Sequence, residues 1–136
     1  MKIPAVHYYI GVAGLFLIVA YFTLGTKYFN YTPLLYLLLG FGGSIVRYST
    51  SIADLNIHLS IHHQTIFNRY AIQWKYVTGI KQIYPTGVFS PEVKQTSDIQ
   101  LQQIVHRVKM NLVFLIVSFI SFPVLTGIIM SWRSWN

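Results

Sequence analysis

Two long stretches without a single charged side chain constrain this chain more than any other feature. From Ala5 to Leu24 the only polar breaks are His7 and Thr23, and from Asn111 to Ser131 there is again no charge. At 1.5 Å per residue, about 20 helical residues cover a hydrocarbon core of roughly 30 Å, so each stretch is long enough to cross a bilayer. A third apolar run from Pro33 to Val46 reaches the same length when its aromatic approach from Tyr28 is included. The expectation is an α-helical integral membrane protein with three transmembrane helices. Its spans cover about residues 5–24 and 28–46 in an N-terminal hairpin (1–47), then a final span and tail (111–136). Residues 48–110 form a basic, aromatic-rich segment between spans two and three.

Composition agrees with that reading. Charged residues make up 10 % of the chain, where soluble domains carry roughly 25 %. Ten Lys and Arg stand against three acids, for a net charge of +7. In so apolar a chain this excess points to anionic lipid headgroups rather than nucleic acid. Lys2 and the seven basic residues Arg47, Arg69, Lys75, Lys81, Lys94, Arg107 and Lys109 fall on one side of the expected spans, with Lys27 and Arg133 on the other. The positive-inside rule then places the N-terminus and the basic segment in the cytoplasm and the C-terminus outside, as in a bacterial inner membrane. Arg69, Trp74, Lys75, Lys81, Trp132 and Trp135 are the expected membrane-surface residues. Without cysteine, thiolate chemistry and disulfides are excluded.

The connection between the first two spans ends in Thr32-Pro33, a helix-start signal in which the threonine hydroxyl is expected to cap a free N–H. In the basic segment, Leu55, Ile57, Leu59 and Ile61 alternate with Asn56, His58, Ser60 and His62. Period two predicts a half-buried strand, with a helical continuation of the second span through Ser51 as the rival reading. A second alternating run at Tyr70, Ile72 and Trp74 completes an expected small sheet, the β-containing part of the fold. Tyr84-Pro85-Thr86-Gly87 reads as a turn. Ser90-Pro91-Glu92 and Ser97-Asp98 read as helix starts, and Leu101, Ile104, Val105 and Val108 have helical spacing ahead of the third span.

His58, His62 and His63 have the spacing of a histidine box, and they are the chain's candidate metal ligands. On a helix His58 and His62 share a face and could hold a single metal, whereas on a strand they stand roughly 13 Å apart at 3.3 Å per residue, too far for one ion. The five histidines of the chain are also too few for the two-iron sites of membrane desaturases, so no metal and no cofactor is expected. Asp54, Glu92 and Asp98 lie outside the spans, and no nucleophile elbow or phosphate loop occurs, so no catalytic residue is expected and the protein is read as a non-enzyme.

Small residues in the spans carry the functional expectation. Gly40 and Ser44 share a helix face, with Gly43 beside them, and Gly11 and Gly14 form a second notch. Such notches let backbones approach, which supplies packing in lipid, where no hydrophobic drive exists between helices. They suit contact within the chain or with a partner's helix. The expected function is a small accessory or assembly subunit of an inner-membrane complex, its partners being lipids and other integral membrane subunits. The layout of a cytoplasmic N-terminus, a short outer hairpin, a basic cytoplasmic segment and the proline-bearing span Asn111-Leu112-Val113-Phe114 through Pro123 to Gly127 resembles the three-span immunity proteins of pore-forming colicins. That resemblance implies the alternative, protection of a membrane against a pore-forming bacteriocin.

Overall fold

The computed structural model describes residues 4–73, 81–83 and 85–133. They are overwhelmingly helical: α1 (Ala5–Thr23), a 3-10 turn (Lys27–Tyr31), α2 (Thr32–Tyr36), a π turn (Leu37–Gly42), α3 (Gly43–His62), α4 (Gln64–Tyr70), α5 (Pro85–Val88), α6 (Pro91–Gln95) and α7 (Ile99–Arg133). Among the described residues, three helical stretches are long and apolar enough to cross a membrane: Ala5–Thr23, Lys27–His62 and Ile99–Ser131. The chain divides into two compact units. Unit 1 comprises Met1–Tyr48 with Met110–Asn136, and unit 2 comprises Ser49–Lys109.

In unit 1, α1 ends where Gly25 takes φ 79°, a left-handed conformation that costs an L side chain but not glycine. Thr26 accepts from the Tyr28 N–H and so starts the 3-10 turn. Thr32 does not cap α2 in the way the sequence predicts. It is the first residue of that helix, and its hydroxyl donates to the Phe29 carbonyl. The π turn falls on Gly40 and Gly42, where glycine weakens regular α-helix. A cluster of Phe16, Ala20, Phe29, Tyr36 and Ile129 forms the buried centre, with Val12, Phe122 and Leu125 packed against it. Phe16 meets Tyr36 edge-on at 5.3 Å between ring centroids. Pro123 lies inside α7.

Unit 2 corrects the expected sheet. Leu55 to His62 is not a strand; the whole run belongs to α3. Leu55 and Leu59 satisfy both a two-residue and a four-residue period, and the neighbouring positions decide between them. Ser51, Ile52, Leu55, His58 and Leu59 are buried at helical spacing, whereas Ile57 and Ile61, the other members of the alternation, are 59 % and 67 % exposed. Among the described residues the second alternating run yields a three-residue strand, β1 (Ala71–Gln73), paired antiparallel with β2 (Lys81–Ile83) in the register Ala71↔Ile83. Asn56 of α3 accepts the Ile83 N–H at 2.8 Å and ties that pair to the helix. Ser90 caps α6 through the Val93 N–H. Gln102 closes the other end of α6, donating to the carbonyls of Val93, Lys94 and Thr96.

Candidate functional site

The glycine face of the second span is occupied from within unit 1. A Cβ at Gly43 would stand 1.8 Å from the Tyr8 hydroxyl oxygen, and one at Gly40 would meet the Tyr36 ring at 3.2 Å. Tyr8 approaches Gly43 because its hydroxyl donates to the Leu39 carbonyl in the π turn, at 2.6 Å, and its ring lies 5.0 Å from the Arg47 guanidinium. Ser44 is buried. Its hydroxyl pairs with the Gly40 carbonyl at 2.6 Å and with Ser118 of α7 at 3.2 Å. Gly40, Gly43 and Ser44 therefore serve packing inside the chain. At Gly11 and Gly14 an added Cβ would meet nothing within 4 Å, so that notch is open.

Beside the glycine face runs a chain of hydroxyl groups that sequence reading passes over. Tyr36 and Ser121 share a hydrogen bond of 2.6 Å, and the Tyr9 hydroxyl lies 3.5 Å from that of Tyr36 and 3.4 Å from that of Ser121. Ser121 in turn donates to the Ser118 carbonyl. Ser118 and Ser121, three residues apart in an otherwise apolar run, are the signal that was available: their spacing puts both on one helix face. All of these groups have partners, as buried polar groups in an apolar medium require.

A second constellation lies in unit 2 and depends on the corrected helix. His58 and His63 are five residues apart, about 140° around an unbroken helix, and would diverge. The helix breaks at His63, whose backbone takes φ −135° and ψ 52° before α4 begins. Both rings converge on one carboxylate: His58 Nε2 lies 2.8 Å and His63 Nε2 2.9 Å from Asp98 Oδ2. Asp98 is fixed in turn by its other oxygen, which accepts the Leu101 N–H at 3.0 Å and caps the start of α7. An ionised carboxylate only accepts, so both imidazoles present an Nε2–H to it. The His63 hydrogen bond, then that of His58, then the Leu101 N–H hold the Asp98 carboxyl well below the usual carboxylate range. His58 is buried, and its ring centroid lies 4.7 Å from that of His62.

His58 and His62 also line an open groove of about 430 Å³. On its wall Arg107 donates to Asp54 at 3.0 Å, an ion pair that leaves the groove close to neutral. Of the expected membrane-surface residues, Arg69 is exposed and pairs with Glu92. Trp74, Lys75 and Trp135 lie outside the described residues, as do the side chains of Lys81 and Trp132. No protein-family model, curated protein or solved structure matches this chain.

Proposed function

We propose that the chain is a non-enzymatic accessory or assembly subunit of a bacterial inner-membrane complex, crossing the bilayer three times and docking on partner helices. The observation that carries this reading is how little of each span is used internally. Of the apolar windows of the three long helices, 17 %, 28 % and 11 % are buried within the chain. Ile10, Leu17, Ile18, Tyr21 and Phe22 on α1, and Phe119, Ile120 and Val124 on α7, are exposed. Lipid covers such surface at no cost, so docking needs a place where backbones can come close. With Gly43 and Ser44 committed to internal packing, the docking surface moves to the open notch of Gly11 and Gly14 on α1. The basic residues of 48–110 then lie on the cytoplasmic headgroups and hold the N-terminus inside and the C-terminus outside.

Photocrosslinking in native membranes from Ile10 and Ile18, which flank the notch, tests the reading. The expected result is a discrete adduct with another membrane protein, lost in Gly11→Leu and Gly14→Leu at unchanged membrane yield. Adducts with lipid alone would overturn docking. A chain that copurifies with nothing yet protects cells from a pore-forming toxin would favour the immunity reading instead.

A further inference from the structure

We propose that His58, His63 and Asp98 bind a divalent transition-metal ion, with zinc the ion their chemistry suits best. The inference is independent of the docking proposed above, since all three residues belong to unit 2. One ligand atom from each residue can be chosen so that all three lie within 4.8 Å of one another, and both Nε2 atoms approach Asp98 Oδ2. In a tetrahedral site with metal–nitrogen and metal–oxygen bonds of about 2.0–2.1 Å, neighbouring ligand atoms stand roughly 3.3 Å apart. The two nitrogen–oxygen separations of 2.8 and 2.9 Å must therefore open by about half an ångström, within reach of small side-chain rotations. Each imidazole binds as its neutral form with the proton on Nδ1, so Nε2 turns from donor to ligand.

Three further observations favour an ion over a purely structural hydrogen-bond pair. The carboxylate is pre-aimed: Oδ1 is engaged by the Leu101 N–H, leaving Oδ2 to face the histidines, the kind of support that fixes a ligand's orientation. His58 is only 7 % exposed, so one ligand is already desolvated and held by the packing of α3. The backbone break at His63 is what turns the second ring toward the first. Two imidazoles with one carboxylate and no thiolate suit zinc, and also iron(II) in a three-ligand facial arrangement. Either ion would join the end of α3 to the start of α7 and close the intervening chain into a loop. A three-ligand set leaves one position of a tetrahedral ion for water.

The test uses the full chain, purified in detergent without a histidine tag and stripped with chelator. Cobalt(II) serves as the spectroscopic probe, and zinc and iron(II) as competitors. We expect one equivalent of cobalt with the intense visible bands of tetrahedral coordination, displaced by zinc, together with a rise in thermal midpoint. Displacement by iron(II) in preference to zinc would reassign the ion and keep the site. Asp98→Asn retains a helix cap, since asparagine caps as well as aspartate, and should weaken cobalt binding roughly 100-fold or more. His63→Ala, at a position away from the buried core, should do the same, while His106→Ala should bind as wild type does. Absence of the visible bands in wild-type protein, or binding unchanged in both Asp98→Asn and His63→Ala, overturns the proposal. Far-UV circular dichroism of each variant separates a lost ligand from a lost fold.

Discussion

The Tyr8 hydroxyl occupies the space that a side chain at Gly43 would need, while donating a 2.6 Å hydrogen bond to Leu39. At this point the first span meets the second through Tyr8, and the absence of a Cβ at Gly43 lets it do so. Gly43→Ala should push the ring away and break its bond to the π turn, costing about 1–3 kcal/mol as overpacking does. The neighbour is the far end of a side chain, so removing it should relieve the cost. In a Tyr8→Ala background, Gly43→Ala should become nearly neutral by thermal unfolding in detergent. Equal costs in both backgrounds would mean the two residues do not meet.

Tyr36 links α2 to α7 through the Ser121 hydroxyl at 2.6 Å, with its ring 1 % exposed. Removing the hydroxyl and removing the ring should therefore have different consequences. Hydrogen bonds between membrane helices contribute about 0.6 kcal/mol on average and at most about 1.7. Tyr36→Phe should lose no more than that. Tyr36→Ala also empties the contact with Phe16 and should cost roughly 3–5 kcal/mol. Detergent-unfolding midpoints of the two variants, compared with wild type, measure the difference. A similar loss in both would assign the stabilisation to the hydroxyl.

The long helices were legible in the sequence because their signal, the absence of charge over about 20 residues, does not depend on which side chains meet. The start of α7 ahead of its apolar run was legible for a related reason: Asp98 as a cap and the spacing of Leu101, Ile104 and Val108 are local features. Leu55 to His62 was misread because its apolar residues alternate. A period is informative only when one face is buried, and here Ile57 and Ile61 are exposed while His58 is not. The same misreading set His58 and His62 on one face of a strand and removed the basis for a shared ligand site. His63 and Asp98 lie 35 residues apart, and no local pattern announces their meeting. Nor could composition tell whether Gly43 receives a partner's helix or Tyr8.

Asp98 also predicts an acid response for the metal-free protein. Its folded-state carboxyl is held below the usual carboxylate range, first by His63, then by His58 and the Leu101 N–H. A depressed carboxyl stabilises the fold fully above its unfolded value of about 3.9, and that contribution is lost as pH falls from there through the folded value. Thermal midpoints of wild type and Asp98→Asn, measured with chelator present, should therefore differ at about pH 5. The gap should close on further acidification. A gap that closes only on raising the pH would reverse the sign and assign the effect to another group.

The proposed topology makes its own prediction. Reporter fusions placed after Thr26 and after Asn136 should read as outside, and one after Gln95 as cytoplasmic, following the eight-to-two division of basic residues. A cytoplasmic signal from the fusion after Asn136 would remove one crossing or invert the chain.

Among the described glycines, Gly87 and Gly127 contrast in what surrounds them. At Gly87 an added Cβ would lie 2.7 Å from the Tyr70 Cβ and 2.9 Å from Ile83 Cγ1. Unlike the tyrosine tip at Gly43, a Cβ is carried rigidly by its backbone and cannot rotate aside. Relief requires α4 or α5 to shift, in a part of unit 2 where Gly87, Ile83 and Val88 are all buried. Gly87→Ala should thus cost about 1–3 kcal/mol, at the upper end of overpacking. Gly127 sits inside α7 with nothing within 4 Å of an added Cβ. There alanine meets no obstacle and gains about 0.8–1 kcal/mol of helix propensity, so Gly127→Ala should be neutral or stabilising. Tyr70→Ala leaves that Cβ in place, so it should not rescue Gly87→Ala as Tyr8→Ala rescues Gly43→Ala. Unfolding midpoints of this series check the order, and a stabilising Gly87→Ala would mean that α5 does not pack on Tyr70 and Ile83.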